Sequence, residues 1–559
     1  MKIPWILLLT SLFWACQPPP PTIYELLITN AMIYDGSGSA PVEGMLAINA
    51  DTIAAIGQLD NVVGTQTLDA KGMAVSPGFI NMLSWATESL IEDGRGMSDI
   101  KQGITLEVMG EGQSMGPLSE IMRQGRQDYQ GDIQFEIGWT TLGEYLEFLE
   151  KKGVSPNVAS FVGATTLRIH QIGLDDRDPS PEELERMKSL AREAMEEGAM
   201  GIGSSLIYAP AFYAKTEELI ELCKVASEYG GMYITHMRSE GNRFLEGIDE
   251  VIRISKAANI ASEIYHLKAS GENNWHKMDL AIQKIDSARN AGIRLTTDMY
   301  TYLAGATGLD ASMPPWVQAG GYAAWAKRLR DPAIRRRVRK AIMEDADEWE
   351  NLYYAAGSSD NLLFVGFKNP ALRQYTGKTL TEVAKMRGTD AVDTMIDLVI
   401  EDGSRVGTVY FLMSEDNIKK QLALPYMSFG SDASAPAAVG VFLNSSTHPR
   451  AYGNVARLLG KYVREEQILP LEEAIYKLSG LPAQNLKLTK RGLLKEGYYA
   501  DVVVFDPQTI QDHATFQEPH QYATGVQHVF VNGIQVLKNG EHTAATPGRV
   551  VRGPGWRHP

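Results

Sequence analysis

Apolar and polar positions follow two different rhythms along this chain. Near the start, "YELLITNAMIYDGSG" (24–38), "GMLAINADTIAAIGQL" (44–59) and "QTLDAKGMAV" (66–75) are short runs rich in Ile, Val and Leu, broken by Asn-Ala and Asp-Gly turns. Such runs predict β-strands. The same texture returns in "YYADVVVFDP" (498–507) and "VQHVFVNGIQVLKNG" (526–540). Between these ends the rhythm changes to amphipathic helix followed by buried strand. "SPEELERMKSLAREAMEEGAMGIGSSL" (180–206) opens on an N-cap serine, carries acids in its first turn, and reaches Gly198 at the helix end. "KTEELIELCKVASEYGGMYITH" (215–236) and "FLEGIDEVIRISKAANIASEIYH" (244–266) repeat the plan. Repeated βα units predict an α/β fold with a parallel sheet. The segment near 303–370 breaks the rhythm and is expected as an insertion over the mouth of that sheet.

The first residues, "MKIPWILLLTSLFWA", place Lys2 before an apolar stretch too short for an ordinary membrane span. Cys16 and "QPPPPT" follow. The pattern resembles a bacterial lipoprotein signal with Cys16 as the lipidated residue. The expectation is an exported protein, anchored on the periplasmic or cell-surface side of a membrane, with a stiff proline spacer at 17–22. The plain alternative is a cleaved signal in which Cys16 is incidental. The other cysteine, Cys223, lies on the apolar side of a helix and reads as core, so no disulfide framework exists. A net charge of −15 gives no support to nucleic-acid binding. The basic run "RDPAIRRRVRK" (330–340) alternates with apolar residues and reads as a solvated helix face.

Candidate chemistry gathers at strand ends. His236 closes "GMYITH" and His266 closes "SEIYH", one βα repeat later. Neighbouring parallel strands would bring both imidazoles to the same face, where active sites of barrels lie and where zinc finds ligands. Glu111 follows the strand-like "ITLEVM" between Gly110 and Gly112 and is a candidate third ligand; the plain alternative is a loop glutamate. Asp432 in "YMSFGSDASAPA" (426–437) follows another apolar run and could move protons at a metal-activated water. The residues alone thus reach a metal-assisted hydrolase and stop short of a substrate.

Several stretches together carry a resemblance. They are "GSSLIYAPAFYAKTEELIELCKVASEYGGMYITHMRSEG", "YHLKASG", "TTDMYTYLAGATGL", "MPPW", "GSDAS", "HPRAYGNVARLLGKYVREE" and "RGLLKEGYYADVVVFDP". The chain resembles the amidohydrolase superfamily and, within it, the N-acyl-D-amino-acid deacylases, over roughly residues 24–555. The resemblance implies a (β/α)8 TIM barrel with a small β-sandwich or β-barrel domain built from both chain ends. Its expected bounds are a signal at 1–16, a linker at 17–22, β-domain parts at 23–75 and 486–559, and the barrel at 76–485. It implies one Zn2+ held by His236, His266 and Glu111, the last standing near where the family has a cysteine. It implies Asp432 as catalytic base and acid, and Tyr300 as a group that polarises the scissile carbonyl. Lys268, Arg238, Arg450 and His448 are implied as substrate-binding residues. The family's HxH pair, a second metal position, is replaced by Leu83 and Trp85 in "PGFINMLSWATESL" (77–90). Trp85 is expected as an apolar wall. The expected substrate is a small amide such as an N-acyl-(D-)amino acid. A D-amino-acid dipeptidase, a cyclic-amide hydrolase, and an inactive barrel that binds cell-wall fragments stand as alternatives. Oligomeric state is not legible.

Overall fold

The computed structural model describes residues 20–557. Cys16, the signal and most of the proline spacer lie outside the described residues. Among the described residues no helix is long and apolar enough to cross a membrane.

Parallel strands dominate the middle of the chain. Phe79–Asn81, Ile104–Met109 and Asn157–Ser160 pair in that order. Val162–Gly163 continues the third strand and pairs with Gly201–Ser205. Met232–His236, Ala261–Ile264, Leu295–Met299 and Met427–Phe429 then follow in parallel register. The last strand also reaches the first: the Met82 amide donates to the Phe429 carbonyl at 3.1 Å, and the Asp432 amide to the Leu83 carbonyl at 2.9 Å. Ile80, Leu83, Val108, Phe161, Ile234 and Tyr265 pack together as one of the buried cores.

The helices that cover these strands follow the local rules of their sequences. Pro181–Glu196 starts on a capping box in which Ser180 and Glu183 satisfy each other's backbone amides, and it buries Met187, Ala191, Ala194 and Met195. Phe244–Ala258 buries Phe244, Ile248, Val251, Ile254 and Ala258 and stops at Asn259 in the left-handed conformation. Cys223 is fully buried, as its position on the apolar face predicted.

The two β-rich ends share one sheet. Thr22–Ile33 pairs with Val42–Asn49 on one side and with Val62–Asp69 and Ala74–Pro77 on the other. Ala74–Pro77 pairs in turn with Val502–Phe505 from the far end of the chain. Two sets of contacts cross the expected bounds. The strands at 304–308 and 362–366, inside the expected insertion, share a sheet with one beyond 370. That antiparallel sheet has Gly407–Phe411 at its centre, flanked by Ala304–Gly308 and Leu362–Gly366. These strands pair across long sequence separations, so no local pattern marks the boundary. The second set lies near the end of the chain. Val550 bridges to Val158, and the Gly553 amide donates to the Gly198 carbonyl, so the tail returns to the start of the parallel strands.

Candidate metal centre and active site

Three side chains from separate strands meet at one oxygen. His236 ends its strand and His266 follows Ala261–Ile264 directly. Glu111 follows Ile104–Met109 in a loop made possible by two glycines. Gly110 (φ +107) sits so near the Phe161 carbonyl that a Cβ would lie 2.3 Å from it, and Gly112 (φ +65) is equally tight against Ser205 at 2.5 Å. The loop thereby lies against neighbouring backbone and brings Glu111 inward, 5% exposed. Glu111 Oε1 is 3.2 Å from His236 Nδ1 and 3.3 Å from His266 Nε2. The candidate ligand atoms all lie within 4.8 Å of one another. Tetrahedral zinc with bonds of about 2.0–2.1 Å holds its ligand atoms about 3.3 Å apart. The three residues therefore fit a zinc ion in spacing as well as in chemistry.

Electrostatics show how strongly this set seeks a positive charge. Burial pushes Glu111 up, but hydrogen bonds from His236 and His266 and their charge outweigh it and hold the carboxyl well below its ordinary range. Burial and the Lys268 charge push His266 down, while Glu240 and Glu111 override them and raise it to about 10. An imidazole must give up that proton to ligate a metal.

Glu240 was not foreseen. It is 3% exposed and lies 3.1 Å from His266 Nδ1, 3.7 Å from His236 Nε2 and 2.7 Å from Lys268 Nζ. Burial opposes its charge, yet Lys268 and the two histidines hold it well below the ordinary carboxylate range. If His266 binds a cation through Nε2, its Nδ1 carries the proton and donates to Glu240. A carboxylate behind a ligating histidine fixes tautomer and ring orientation. The only signal in the sequence was the spacing of four residues from His236.

These residues line a cavity of about 460 Å³. Asp432 faces it with φ +48, its amide fixed on the Leu83 carbonyl, and pairs with Arg450 at 2.8 Å. His266 is likewise left-handed, at φ +36, with its amide held by Asp298 Oδ1 at 2.7 Å. Such strained backbone clusters at functional sites and costs of order 1–3 kcal/mol per residue. Burial raises Asp432 above the ordinary aspartate value, against the pull of Arg450. Tyr300 is buried on the same wall with its hydroxyl unpartnered, beneath the Arg450 guanidinium at 4.4 Å. Arg450 Nε and Nη1 are also unpartnered. Lys268 lines the cavity but is committed to Glu240.

Two expected substrate residues are already engaged by protein partners. Arg238 does not line the cavity. Its guanidinium grips Glu250 on the next helix and donates to the Phe212 and Ala214 carbonyls. His448 does line the cavity, but its Nε2 pairs with the Ala304 carbonyl and its Nδ1 accepts from the Arg450 amide. Burial, then the Arg450 charge, keeps its pKa well below the ordinary histidine value. It is therefore a neutral support for Arg450. The insertion adds Arg405, paired with Asp310 at 2.8 Å and stacked on Tyr208 at 4.9 Å.

Residues 66–537 match the model of an amidohydrolase family. The chain belongs to the amidohydrolase family. The sequence is 31% identical to the D-aminoacylase of Alcaligenes xylosoxydans xylosoxydans over 94% of this chain and 97% of that one. A solved D-aminoacylase, described for its binuclear metal centre with one-metal activation and second-metal attenuation, superposes with a TM-score of 0.78. It is 30% identical over 95% of this chain and 100% of its own. The N-acyl-D-glutamate deacylase of Bordetella bronchiseptica, complexed with zinc and a phosphonate mimic of the tetrahedral intermediate, superposes at 0.77, with 28% identity over 95% and 99% of the two chains. A TIM barrel with an extra domain is the architecture these neighbours imply, in keeping with the parallel strands of this amidohydrolase.

Proposed function

We propose that this amidohydrolase hydrolyses the amide of N-acyl-D-amino acids or similar small amides, using a single zinc ion. The observation that carries the reading is the convergence of Glu111, His236 and His266 beside Asp432 in one cavity. A zinc ion held by those three residues would supply a Lewis acid and bring water towards ionisation near neutral pH. Asp432, buried and raised above the ordinary aspartate value, takes the proton of the attacking water and returns it to the leaving nitrogen. The free Tyr300 hydroxyl donates to the carbonyl oxygen as charge develops there. Arg450, whose guanidinium lines the cavity, attracts the substrate carboxylate by its charge. Lys268 adds positive charge to the same wall. An inactive binding barrel has no use for this combination.

The finer architecture belongs to the same reading: a closed (β/α)8 barrel with a sandwich-like end domain, supported by the bonds from Phe429 and Leu83 that join the last strand to the first. Export as a lipid-anchored protein is supported by residues 1–16.

The test is hydrolysis of a panel of N-acyl-D- and N-acyl-L-amino acids by the wild type and Asp432→Asn. Loss of general acid–base catalysis costs about 10²–10⁴-fold. Equal turnover by the two proteins would refute the role of Asp432.

A further inference from the structure

We infer that Trp85 is a positioning residue for Glu111 and that its indole occupies the carboxylate oxygen a second cation would take, which keeps the centre mononuclear; this rests on the metal reading above. Trp85 follows the first parallel strand, and its backbone is fixed by donation to the Ala433 carbonyl at 2.9 Å. Its indole Nε1 donates to Glu111 Oε2 at 2.9 Å. The two oxygens of Glu111 are thereby divided. Oε1 meets both histidines and the Ser205 hydroxyl, while Oε2 meets the indole. A carboxylate that bridges two cations through its two oxygens needs both free to face metal. Here one faces a group that can only donate. A bound cation and the indole would pull the carboxylate from opposite ends and fix its plane.

Among the described cavity residues the other carboxylates are already engaged. Leu83 is fully buried, and Gly430 packs so closely on it that a Cβ at 430 would lie 2.6 Å from the Leu83 Cβ. Among the described cavity residues that could ligate, Asp432 is paired with Arg450, Glu240 with Lys268, and Asp310 with Arg405. His448 has both ring nitrogens engaged. Trp85 thus presents a hydrogen-bond donor, not a metal ligand, to the second oxygen of Glu111.

The test measures zinc content and zinc affinity, by chelator competition, on the full chain. The wild type is expected to hold one zinc per chain even in excess zinc. Trp85→Phe keeps the ring and loses the donor; its affinity should fall about 10–100-fold, the usual effect of losing a partner to a metal ligand. Trp85→Gln restores an N–H donor and should recover part of that loss. Circular dichroism of the metal-free variants confirms that both are folded. The double variant Leu83→His/Trp85→His should raise the content towards two. Two zinc ions on the wild type would overturn the inference, as would unchanged affinity in Trp85→Phe or equal losses in the Phe and Gln variants. A folded wild type that holds no zinc would instead sink the metal reading itself.

Discussion

Glu240→Gln removes a charge from the most tightly coupled part of the site while preserving shape. Lys268, 5% exposed, then keeps its ammonium without the carboxylate 2.7 Å away. Two unit charges about 4 Å apart interact by roughly 4 kcal/mol at an effective dielectric of 20. Removing one partner of a buried pair costs about 3–5 kcal/mol, because the survivor is left buried and uncompensated. Glu240→Gln should therefore destabilise the metal-depleted protein by about that much, and Lys268→Gln should act similarly. The double variant should cost about 2–3 kcal/mol less than the sum, since neither charge is then stranded. Equilibrium urea unfolding in EDTA, followed by tryptophan fluorescence, reads all four proteins. Additivity within about 0.5 kcal/mol would refute the coupling. The same Glu240→Gln protein should bind zinc about 10–100-fold more weakly, because His266 loses the carboxylate that holds its tautomer.

Two further outcomes are expected. Burial, with the Glu240 charge second, raises Glu350 to about 7, so the folded state retains a proton that the unfolded chain releases near 4.5. That contribution is fully present below pH 4.5 and is lost as pH rises towards 7; Glu350→Gln should remove up to about 1.4 kcal/mol per pH unit of slope in that window, and an unchanged slope in pH-dependent urea unfolding would count against it. Cys16→Ala should move the protein from the membrane to the soluble fraction; retention on the membrane would sink the lipid anchor.

How far the sequence reached depended on whether a signal was local. His236, His266 and Asp432 each follow an apolar run, and parallel neighbours turn strand ends into a common face. Glu111 was visible through its flanking glycines, whose positive φ lets the loop approach Phe161 and Ser205. Arg238 and Lys268 looked equivalent, each two residues beyond a histidine. What separates them is the partner nearby. Glu250 on the following helix captures Arg238, whereas Glu240 holds Lys268 in the cavity. Neither pairing has a pattern in the sequence beyond ordinary helix and loop acids. The insertion was marked by its broken rhythm, but the central strand of its sheet, Gly407–Phe411, is defined by partners about a hundred and about forty residues away.

Trp85 shows the limit of reading residue type alone. An indole in place of a metal-binding histidine reads as an apolar wall, and the ring does line the cavity. Its function in the site, however, depends on one N–H whose direction only the fold fixes. The first strand sets the backbone, Ala433 anchors it, and the glycine-framed loop brings Glu111 within 2.9 Å. These elements are separated along the chain by whole βα units. The substitution of Leu83 and Trp85 and the presence of Glu111 are therefore one arrangement. A carboxylate ligand has a second oxygen that requires a partner when buried, and an indole at 85 provides it without adding positive charge. A histidine at 85 would restore a metal ligand and remove that donor whenever it bound a cation. What the fold adds to the residue type at 85 is a donor aimed at the second oxygen of Glu111.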